Sequence, residues 1–215
     1  MKLKPLTWIE KRKKDFFHKK AKIEGYRSRA AYKLLQANQS HHFIKQGDYV
    51  IDLGCAPGGW LQVASKLVGL KGKVLGVDLK PIKPLNLPNV QFLMGDVSDK
   101  ELPKKILDFM GSKIDVVLSD LSPKISGVWE LDHARQIDLA NSALNIAKLT
   151  LKKGGFFFVK VFDGPYLKEF IDKMKKDFFE VKILKPKASR PESAELYLLG
   201  KKFKPKTGKV KLNIF

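Results

Sequence analysis

A lysine that closes an apolar run is the first residue of this sequence whose position indicates chemistry. Lys160 follows Phe156–Val159, four consecutive apolar residues that predict a buried strand. An ammonium group in such a place is costly to bury unless a carboxylate pairs with it. Asp120 and Glu195 also lie at the ends of predicted strands, so both are candidate partners. A buried lysine held by acids can orient a substrate and exchange a proton with it.

A glycine-rich segment between a predicted strand and a predicted helix indicates a ligand-binding turn. The segment Asp52–Trp60 has the sequence Asp-Leu-Gly-Cys-Ala-Pro-Gly-Gly-Trp. Its small residues allow a ligand to approach the backbone and allow the helix to pack closely on the strand. It does not match the dinucleotide pattern Gly-x-Gly-x-x-Gly, and Pro57 lacks the amide N–H that a phosphate would need. The segment therefore favours a neutral or cationic ligand with a ribose over a dinucleotide.

Aspartates follow the next two predicted strands at positions that suit a nucleoside. Asp78 ends the second strand, where a carboxylate can accept hydrogen bonds from ribose hydroxyls. Asp96 follows the third strand, near where an adenine ring would lie. Acids at successive strand ends would also suit a sulfonium cation. Either aspartate alone could simply cap a helix, but together with the glycine-rich turn they favour a nucleoside cofactor.

The alternation of short apolar runs with helical spacings predicts an α/β domain. Seven strands are predicted, in chain order, at Tyr49–Leu53, Lys73–Asp78, Val90–Leu93, Ile114–Leu118, Phe156–Val161, Phe178–Leu184 and Glu195–Leu199. Helices are predicted at Arg27–Gln36, Leu61–Val68, His133–Leu151 and Tyr166–Lys176. Ser28 is the predicted cap of the first of these helices.

The positive charge of the chain is concentrated at its two ends. Of a net charge of +20, residues 1–33 carry +9, the last fifteen residues carry +6 and the body between them carries +5. Charged ends on a nearly neutral body predict a polyanionic partner. Nucleic acid is favoured over a membrane surface, because no amphipathic lipid-binding pattern is evident. The alternative interpretation is a lysine bias of the source organism, since 37 of the 42 cations are lysine.

The chain has no internal repeat and no long linker, which predicts a single domain over residues 1–202. Within it, residues 1–33 are expected to form a basic RNA-binding extension and the start of the first catalytic helix. Residues 203–215 are expected to form a basic, mobile tail.

Composition excludes several other classes of protein. The single cysteine, Cys55, allows neither an internal disulfide nor a cysteine-rich zinc site and is expected to be a packing residue. No apolar run is long enough to span a bilayer, and the lysine-rich N-terminus lacks the apolar segment of a signal peptide. We therefore expect a soluble, cytoplasmic protein with no membrane partner. No metal site is predicted, because nothing spaces the histidines as ligands: His18, His41, His42 and His133.

The segment Asp52–Trp60 resembles the cofactor loop of the FtsJ/RrmJ family of RNA 2′-O-methyltransferases, and the resemblance extends from about Tyr26 to Lys202. It implies a Rossmann-like, S-adenosylmethionine-dependent methyltransferase fold. In that fold a seven-stranded, mostly parallel sheet has its last strand antiparallel and helices on both faces. The resemblance also implies contacts to S-adenosylmethionine from Gly58, Trp60, Asp78, Asp96 and Asp120.

The same resemblance implies a catalytic tetrad of lysine, aspartate, lysine and glutamate. Its members here would be Lys33, Asp120, Lys160 and Glu195. A ribose hydroxyl is a poor nucleophile and must lose its proton as it attacks the methyl group, so the protein must supply orientation and a proton acceptor. We expect Lys160 to orient the hydroxyl and receive the proton, with Asp120 holding Lys160. Lys33 and Glu195 would position the ribose.

The resemblance further implies the substrate, a uridine in the A loop of large-subunit ribosomal RNA. The protein would act on the large ribosomal subunit or its precursor. The sequence does not specify an oligomeric state, and we expect a monomer. Three alternatives stay open: a methyltransferase of transfer RNA anticodon loops, a non-catalytic RNA-binding protein, and a small-molecule methyltransferase. Aromatic residues near the N-terminus could stack a base or could pack helices on the sheet, and packing is favoured: Phe16, Phe17, Tyr26 and Tyr32.

The cations at the N-terminus lead to a first testable prediction. Deleting residues 1–20 should weaken RNA binding and flatten its dependence on salt concentration, because several phosphate contacts are lost together. The affinity for S-adenosylmethionine should change little, since none of the expected cofactor residues lies in that segment. RNA-binding isotherms at several salt concentrations measure the slope. An unchanged slope would show that these lysines only solubilise the protein.

Overall fold

The computed structural model describes residues 15–190 and 192–205, which form seven strands and six helices. The strands are β1 (Tyr49–Leu53), β2 (Lys73–Asp78), β3 (Val90–Met94), β4 (Ile114–Ser119), β5 (Leu151–Phe162), β6 (Phe178–Leu184) and β7 (Glu195–Phe203). The helices are α1 (Phe16–Ile23), α2 (Ala31–His41), α3 (Gly59–Val68), α4 (Leu102–Met110), α5 (Trp129–Thr150) and α6 (Leu167–Asp177).

The strands form one sheet in the order β3-β2-β1-β4-β5-β7-β6. Neighbours among β1 to β5 pair in parallel, whereas β7 pairs antiparallel with both β5 and β6. The prediction of a mostly parallel α/β sheet whose last strand is antiparallel is confirmed. The chain order reverses between β1 and β4, and such a reversal opens a crevice at the carboxyl ends of the parallel strands.

Helices cover both faces of the sheet, as predicted. On one face, α4, α5 and α6 pack against alternate strand residues, such as Phe157 and Val159 of β5. On the other face, α2 and α3 pack against intervening residues, such as Phe158. Successive side chains of a strand point to opposite faces. Because both faces are covered, β5 is apolar at consecutive positions before Lys160. Lys160 itself is enclosed as well, with only 6% of the residue exposed.

The first predicted helix begins later than the sequence pattern indicates. The prediction of Arg27–Gln36 with Ser28 as its cap is wrong, because α2 begins at Ala31 and the preceding Ala30 makes no capping side-chain bond. A tight turn precedes the helix, and in it the Ala31 amide donates to the Ser28 carbonyl over 3.3 Å. The Ser28 hydroxyl instead lies against Gly59, where an added Cβ would collide with it.

The sequence pattern does not predict α1 and α4. Helix α4 has Pro103 in its first turn and ends at Gly111, whose φ of 71° is left-handed. These are ordinary start and stop signals for a helix. Helix α1 is short, and its buried residue Ala21 packs with Tyr32 of α2. A sharper version of the deletion experiment therefore replaces the cations before Asp15 with glutamine and leaves α1 intact.

The aromatic residues near the N-terminus pack against one another. The Tyr32 ring is 4% exposed, and its centroid lies 5.4 Å from that of Phe17 and 5.6 Å from that of Tyr26. The packing interpretation is confirmed for these three residues, whereas Phe16 is 67% exposed.

The expected mobile tail lies largely outside the described residues, because β7 continues to Phe203 and the description ends at residue 205. The residues before Asp15 also lie outside it. Among the helices that are described, none is both long enough and apolar enough to cross a membrane.

Candidate active site

The buried lysine of β5 is paired with the aspartate that follows β4. The Lys160 Nζ atom lies 3.2 Å from Asp120 Oδ1 and donates to the Asp120 carbonyl oxygen over 2.9 Å. Because β4 and β5 are parallel neighbours, the ends of both strands meet at the crevice where the sheet order reverses. The structure therefore brings together the lysine and the first of its two predicted partners.

The second predicted partner, Glu195, pairs with a different lysine. Its Oε1 atom lies 2.5 Å from Lys33 Nζ on α2 and also accepts from the Ser189 hydroxyl over 3.3 Å. Antiparallel pairing of β5 with β7 places Glu195 opposite Phe162 rather than opposite Lys160. The expectation that Glu195 could pair with Lys160 is thus wrong, because the register places Glu195 opposite Phe162 and its ion pair is with Lys33.

A tyrosine joins the two ion pairs. Tyr197 lies opposite Lys160 in the β5–β7 register, is fully buried, and donates from its hydroxyl to Asp120 Oδ1 over 3.0 Å. The Lys33 Nζ atom lies 5.7 Å from the centre of the Tyr197 ring. Burial, followed by the negative charges of Asp120 and Glu195, raises the pKa of Tyr197 well above its usual value. The phenol therefore stays protonated and remains a hydrogen-bond donor to Asp120.

A glutamine of α5 holds the backbone of the two segments that carry Lys160 and Asp120. The Gln136 Nε2 atom donates to the carbonyl oxygen of Lys160 over 3.0 Å and to that of Leu121 over 3.2 Å. The residue is 1% exposed. One side chain thus fixes the spacing of the segments that carry Lys160 and Asp120. The sequence analysis overlooks both Tyr197 and Gln136.

The glycine-rich turn is tight, and its conformation leaves little room for side chains near the backbone. It follows β1, and the amides of Gly54 and Cys55 both donate to the Val77 carbonyl of β2 over 2.8 and 3.2 Å. Gly58 has a left-handed φ of 109°, and a Cβ there would lie 3.2 Å from Arg27 Nη1. Cys55 is 4% exposed, and burial raises the pKa of its thiol, which agrees with a packing role.

Arg27 fastens the turn to a neighbouring loop. Its guanidinium donates to the carbonyl oxygens of Pro57, Lys83 and Pro84 over 3.0, 2.5 and 2.5 Å. Its backbone amide donates to Gln62 Oε1 of α3 over 2.8 Å. The segment before α2 is therefore tied directly to both walls of the expected cofactor site.

The aspartates after β2 and β3 lie on the same edge of the sheet as the turn. Asp78 Oδ2 accepts from the Ala56 amide over 2.9 Å, and the Asp78 carbonyl accepts from the Gly95 amide over 3.0 Å. Asp96 Oδ1 accepts from the Ser98 amide over 2.8 Å. The strand-end carboxylates thus follow one another along the crevice.

A cavity of about 130 Å³ lies between the glycine-rich turn and Asp120. Its walls include Asp120 and Trp60, whose indole packs against Phe158 at 5.5 Å and donates to the Ala30 carbonyl over 2.7 Å. Asp52 of β1 also lines the cavity, and neither of its buried carboxyl oxygens has a hydrogen-bond partner among the described residues. Burial, then the charges of Asp120 and Asp78, raises the pKa of Asp52 well above its usual value.

Acidic groups in a small cavity fit a cationic ligand with hydrogen-bond donors. Such a ligand would satisfy the Asp52 carboxyl group, which is otherwise left unpaired at a cost. S-adenosylmethionine carries a sulfonium, an ammonium and ribose hydroxyls, so the residues present fit it. In the described part of the chain, no three His, Cys, Asp or Glu side chains are grouped to hold a metal ion.

The sheet order, the antiparallel last strand and the crevice site define a Rossmann-like fold of S-adenosylmethionine-dependent methyltransferases. Aeropyrum pernix fibrillarin with natively bound S-adenosyl-L-methionine has this fold, with a TM-score of 0.57 over 80% of this chain and 73% of that chain at 18% identity. The chain belongs to the FtsJ-like methyltransferase family, whose sequence model matches residues 26–203. The predicted family resemblance is confirmed.

Relatives with known names support the same assignment. Ribosomal RNA large subunit methyltransferase E of Methanococcus aeolicus is 52% identical over 200 residues, covering 93% of this chain and 74% of that protein. The protein of that name from Methanocaldococcus jannaschii is 49% identical over 209 residues, covering 96% and 84%. The crystal structure of a Plasmodium falciparum ribosomal RNA methyltransferase is 31% identical, with a TM-score of 0.74 over 83% of this chain and 98% of that chain.

The unpaired carboxyl group of Asp52 makes stability depend on pH in a direction that can be measured. Below the pKa of the unfolded chain, about 3.9, both states hold the proton and the group has no effect. Above it, the unfolded chain releases the proton while the folded chain retains it, so stability falls as pH rises toward the raised folded pKa. Asparagine does not titrate, so Asp52→Asn removes the loss of stability that this carboxyl group causes at higher pH.

The unfolding free energy of Asp52→Asn relative to the unaltered protein should therefore increase from pH 5 to pH 7, without cofactor. The expected slope is positive and at most about 1.4 kcal/mol per pH unit, the limit for one proton, and it disappears above the folded pKa of Asp52. Denaturant unfolding of both proteins at each pH gives the difference between their unfolding free energies. Titratable groups that the two proteins share cancel in this difference. A difference that stays constant with pH would show that Asp52 is ionised in the folded protein.

The backbone approach at Gly58 leads to a prediction about cofactor affinity. Gly58→Val should abolish S-adenosylmethionine binding in calorimetry, because the new side chain would crowd Arg27 and Leu85 in a left-handed conformation. Asp78→Lys should do the same by reversing the charge at the ribose position. Gly47→Val is the matched control, because Gly47 has a φ of 86° and open space around it. Gly47→Val introduces the same backbone strain and should retain affinity for S-adenosylmethionine. Unchanged affinity in both Gly58→Val and Asp78→Lys would show that the cofactor binds elsewhere.

Proposed function

We propose that this chain transfers a methyl group from S-adenosylmethionine to a ribose 2′-hydroxyl of ribosomal RNA. The target we propose is a uridine in the A loop of large-subunit ribosomal RNA, modified in the cytoplasm on the large subunit or its precursor by the monomeric protein. The observation that carries the proposal is the buried Lys160–Asp120 pair beside the acidic cavity. The relatives named above support the choice of ribosomal RNA.

The cofactor would lie along the carboxyl edge of the sheet. When bound, S-adenosylmethionine supplies a methyl group on a positively charged sulfur. Asp78 and Asp96 would bind its ribose and adenine, and Gly58 would admit it close to the backbone. Asp120 and Trp60 line the cavity that would enclose its reactive end. Asp52 would also contact the cofactor, because its buried carboxyl group has no hydrogen-bond partner among the described residues.

Lys160 would bind the hydroxyl that reacts. As a neutral amine, the Lys160 nitrogen has two N–H donors and one lone pair, and Asp120 can accept both N–H groups through Oδ1 and its carbonyl oxygen. The lone pair is left to accept a hydrogen bond from the ribose hydroxyl. As that oxygen forms its bond to the methyl carbon and the carbon–sulfur bond breaks, the hydroxyl proton passes to Lys160, which must present a free lone pair to receive it. Asp120, held by Tyr197, keeps the nitrogen in place.

The second ion pair would hold the substrate. Lys33 and Glu195 are partly accessible, with 13% and 14% of their side chains exposed, whereas the Lys160 side chain is 7% exposed. Glu195 can accept from a sugar hydroxyl and Lys33 can donate to a phosphate or sugar oxygen. Lys33 lies on α2, directly after the cationic segment of residues 1–33. RNA held there by its phosphates would be delivered to the catalytic cluster.

An ordered catalytic cluster argues against a protein that only binds RNA. Such a protein gains nothing from a lysine inside the sheet, since burial of the charge costs free energy that a surface lysine avoids. A small-molecule methyltransferase would have no use for the positive charge of the two ends. The discriminating experiment is methyl transfer from labelled S-adenosylmethionine to large ribosomal subunits, protein-free ribosomal RNA and transfer RNA. Label in transfer RNA alone would overturn the ribosomal assignment while preserving the chemistry.

The role of Lys160 gives the sharpest kinetic prediction. Lys160→Ala should lower the single-turnover rate at saturating RNA and cofactor by at least roughly 100-fold, the low end for loss of a general base. Its S-adenosylmethionine affinity should stay within a few-fold, because the nitrogen acts at the hydroxyl. Lys160→Arg should resemble alanine, since arginine keeps the charge but cannot accept a proton at workable pH.

The matched control is Lys153→Ala, which removes an exposed lysine from the same strand. It should transfer methyl groups at the unaltered rate. Appreciable rescue by arginine would show that charge alone is needed at position 160. Near-normal transfer by Lys160→Ala would remove Lys160, and the tetrad with it, from the mechanism.

A further inference from the structure

Four aromatic rings form a continuous stack beside the catalytic cluster. The centroid of Trp129 lies 5.9 Å from that of Phe162 and 5.9 Å from that of His133, with interplanar angles of 24° and 21°. His133 in turn lies 5.5 Å from Tyr166 at an angle of 7°. We call these four residues the aromatic stack. Nothing in the proposed methyl transfer so far uses it.

The stack begins at the transfer site itself. Phe162 follows Lys160 by two residues on β5, so it lies about 7 Å further along the strand, and it is paired with Glu195 across the β5–β7 ladder. Trp129 is the first residue of α5, at the end of the segment that starts at Asp120. Both chain segments that carry the catalytic pair therefore lead directly into the aromatic stack.

Two rings of the stack are open to solvent. Trp129 is 43% exposed and Tyr166 is 48% exposed, whereas His133 between them is fully buried. Ile125 and Val128, in the segment before Trp129, are 61% and 55% exposed. Large apolar side chains that remain accessible together mark interaction sites more often than isolated ones do. The exposed part of the indole is therefore accessible to a binding partner.

The aromatic stack is held rigidly before any partner arrives. Asp132 accepts from the amide and hydroxyl of Ser126, each over 2.8 Å, and from the Gly127 amide over 3.1 Å, which fixes the chain leading to Trp129. The His133 Nε2 atom accepts from the Tyr166 amide over 3.1 Å. Burial lowers the pKa of His133, so its ring stays neutral and stacks as an aromatic group. A surface fixed in this way loses little conformational entropy on binding.

We infer that the exposed part of the Trp129 indole stacks on a nucleobase of the substrate RNA next to the nucleotide that is methylated. This inference rests on the proposed function in taking RNA as the substrate. Single-stranded RNA is recognised by stacking of unpaired bases on aromatic side chains. The net charge of +20 selects a polyanion over a neutral partner. Stacking of a neighbouring base would hold the strand so that one ribose reaches Lys160.

The test compares three variants of the full chain. Trp129→Ala removes the ring, Trp129→Phe keeps a smaller one, and Phe109→Ala is the matched control. Phe109 lies on α4 with 44% exposure, nearly that of Trp129. Binding is measured with a single-stranded oligouridylate and with an abasic oligomer that has the same number of phosphates. Methyl transfer to large ribosomal subunits is measured as KM and kcat, and thermal unfolding checks that each variant is folded.

Trp129→Ala should weaken oligouridylate binding and raise the KM for RNA by roughly tenfold, within the range found for loss of one base–aromatic stack. Binding of the abasic oligomer and of S-adenosylmethionine should stay within about twofold. Trp129→Phe should recover most of the loss, and Phe109→Ala should behave as the unaltered protein.

Three outcomes would overturn the inference. The first is equal oligouridylate affinity in Trp129→Ala and Phe109→Ala. The second is an equal loss for the abasic oligomer, which would indicate phosphate contact instead of stacking. The third is a raised KM on assembled subunits with unchanged oligouridylate binding, which would assign Trp129 to a ribosomal protein. Failure of the unaltered protein to methylate ribosomal RNA would instead refute the proposed function, while the oligonucleotide measurements still decide the role of Trp129.

Discussion

The charge of Lys160 has to be accommodated inside a sheet whose neighbouring side chains are apolar. An isolated ammonium group there would cost several kcal/mol of desolvation free energy. The structure offsets this with two acceptors from Asp120 and adds the Tyr197 hydroxyl, which donates to the same carboxylate oxygen that Lys160 contacts. This requirement sets much of the local architecture. It explains why β4 lies beside β5 and why an aspartate follows β4. It also explains why a glutamine of α5 holds the backbone of both segments.

The structure of the cofactor site depends on a second constraint, which is that the ligand has to approach the backbone closely. The turn after β1 has to be narrow, so it uses left-handed glycines and is bonded to β2 through the Val77 carbonyl. Arg27 then closes the site from outside by binding three carbonyl oxygens on two loops. The proposed cofactor loop and the segment that we propose faces RNA therefore share one side chain. Any change in affinity that one substrate causes for the other has to be reciprocal.

Buried strands were the part of this molecule most open to prediction from sequence. Strands covered on both faces are continuous apolar runs, and the predicted positions match within a few residues, except that β5 starts at Leu151 and β7 ends at Phe203. The partner of Glu195 was not predictable, because it depends on the lateral order of the strands. Insertion of β7 beside β5 places Tyr197 opposite Lys160. A tyrosine in an apolar strand is indistinguishable in sequence from an ordinary core residue. Asp52 could have been found, since an acid within a buried run is as costly as a lysine.

The position of β7 also bears on when the protein becomes active. This strand follows β6 in the chain, yet in the sheet it lies between β5 and β6. During synthesis the two flanking strands are therefore complete before the strand that joins them, and the facing edges of both remain unpaired until it arrives. Glu195 and Tyr197 are on that strand, and the Lys33–Glu195 pair closes a separation of 162 residues. The site is consequently assembled only at the end of folding, so a ribosome that is still making this chain does not yet carry an active enzyme.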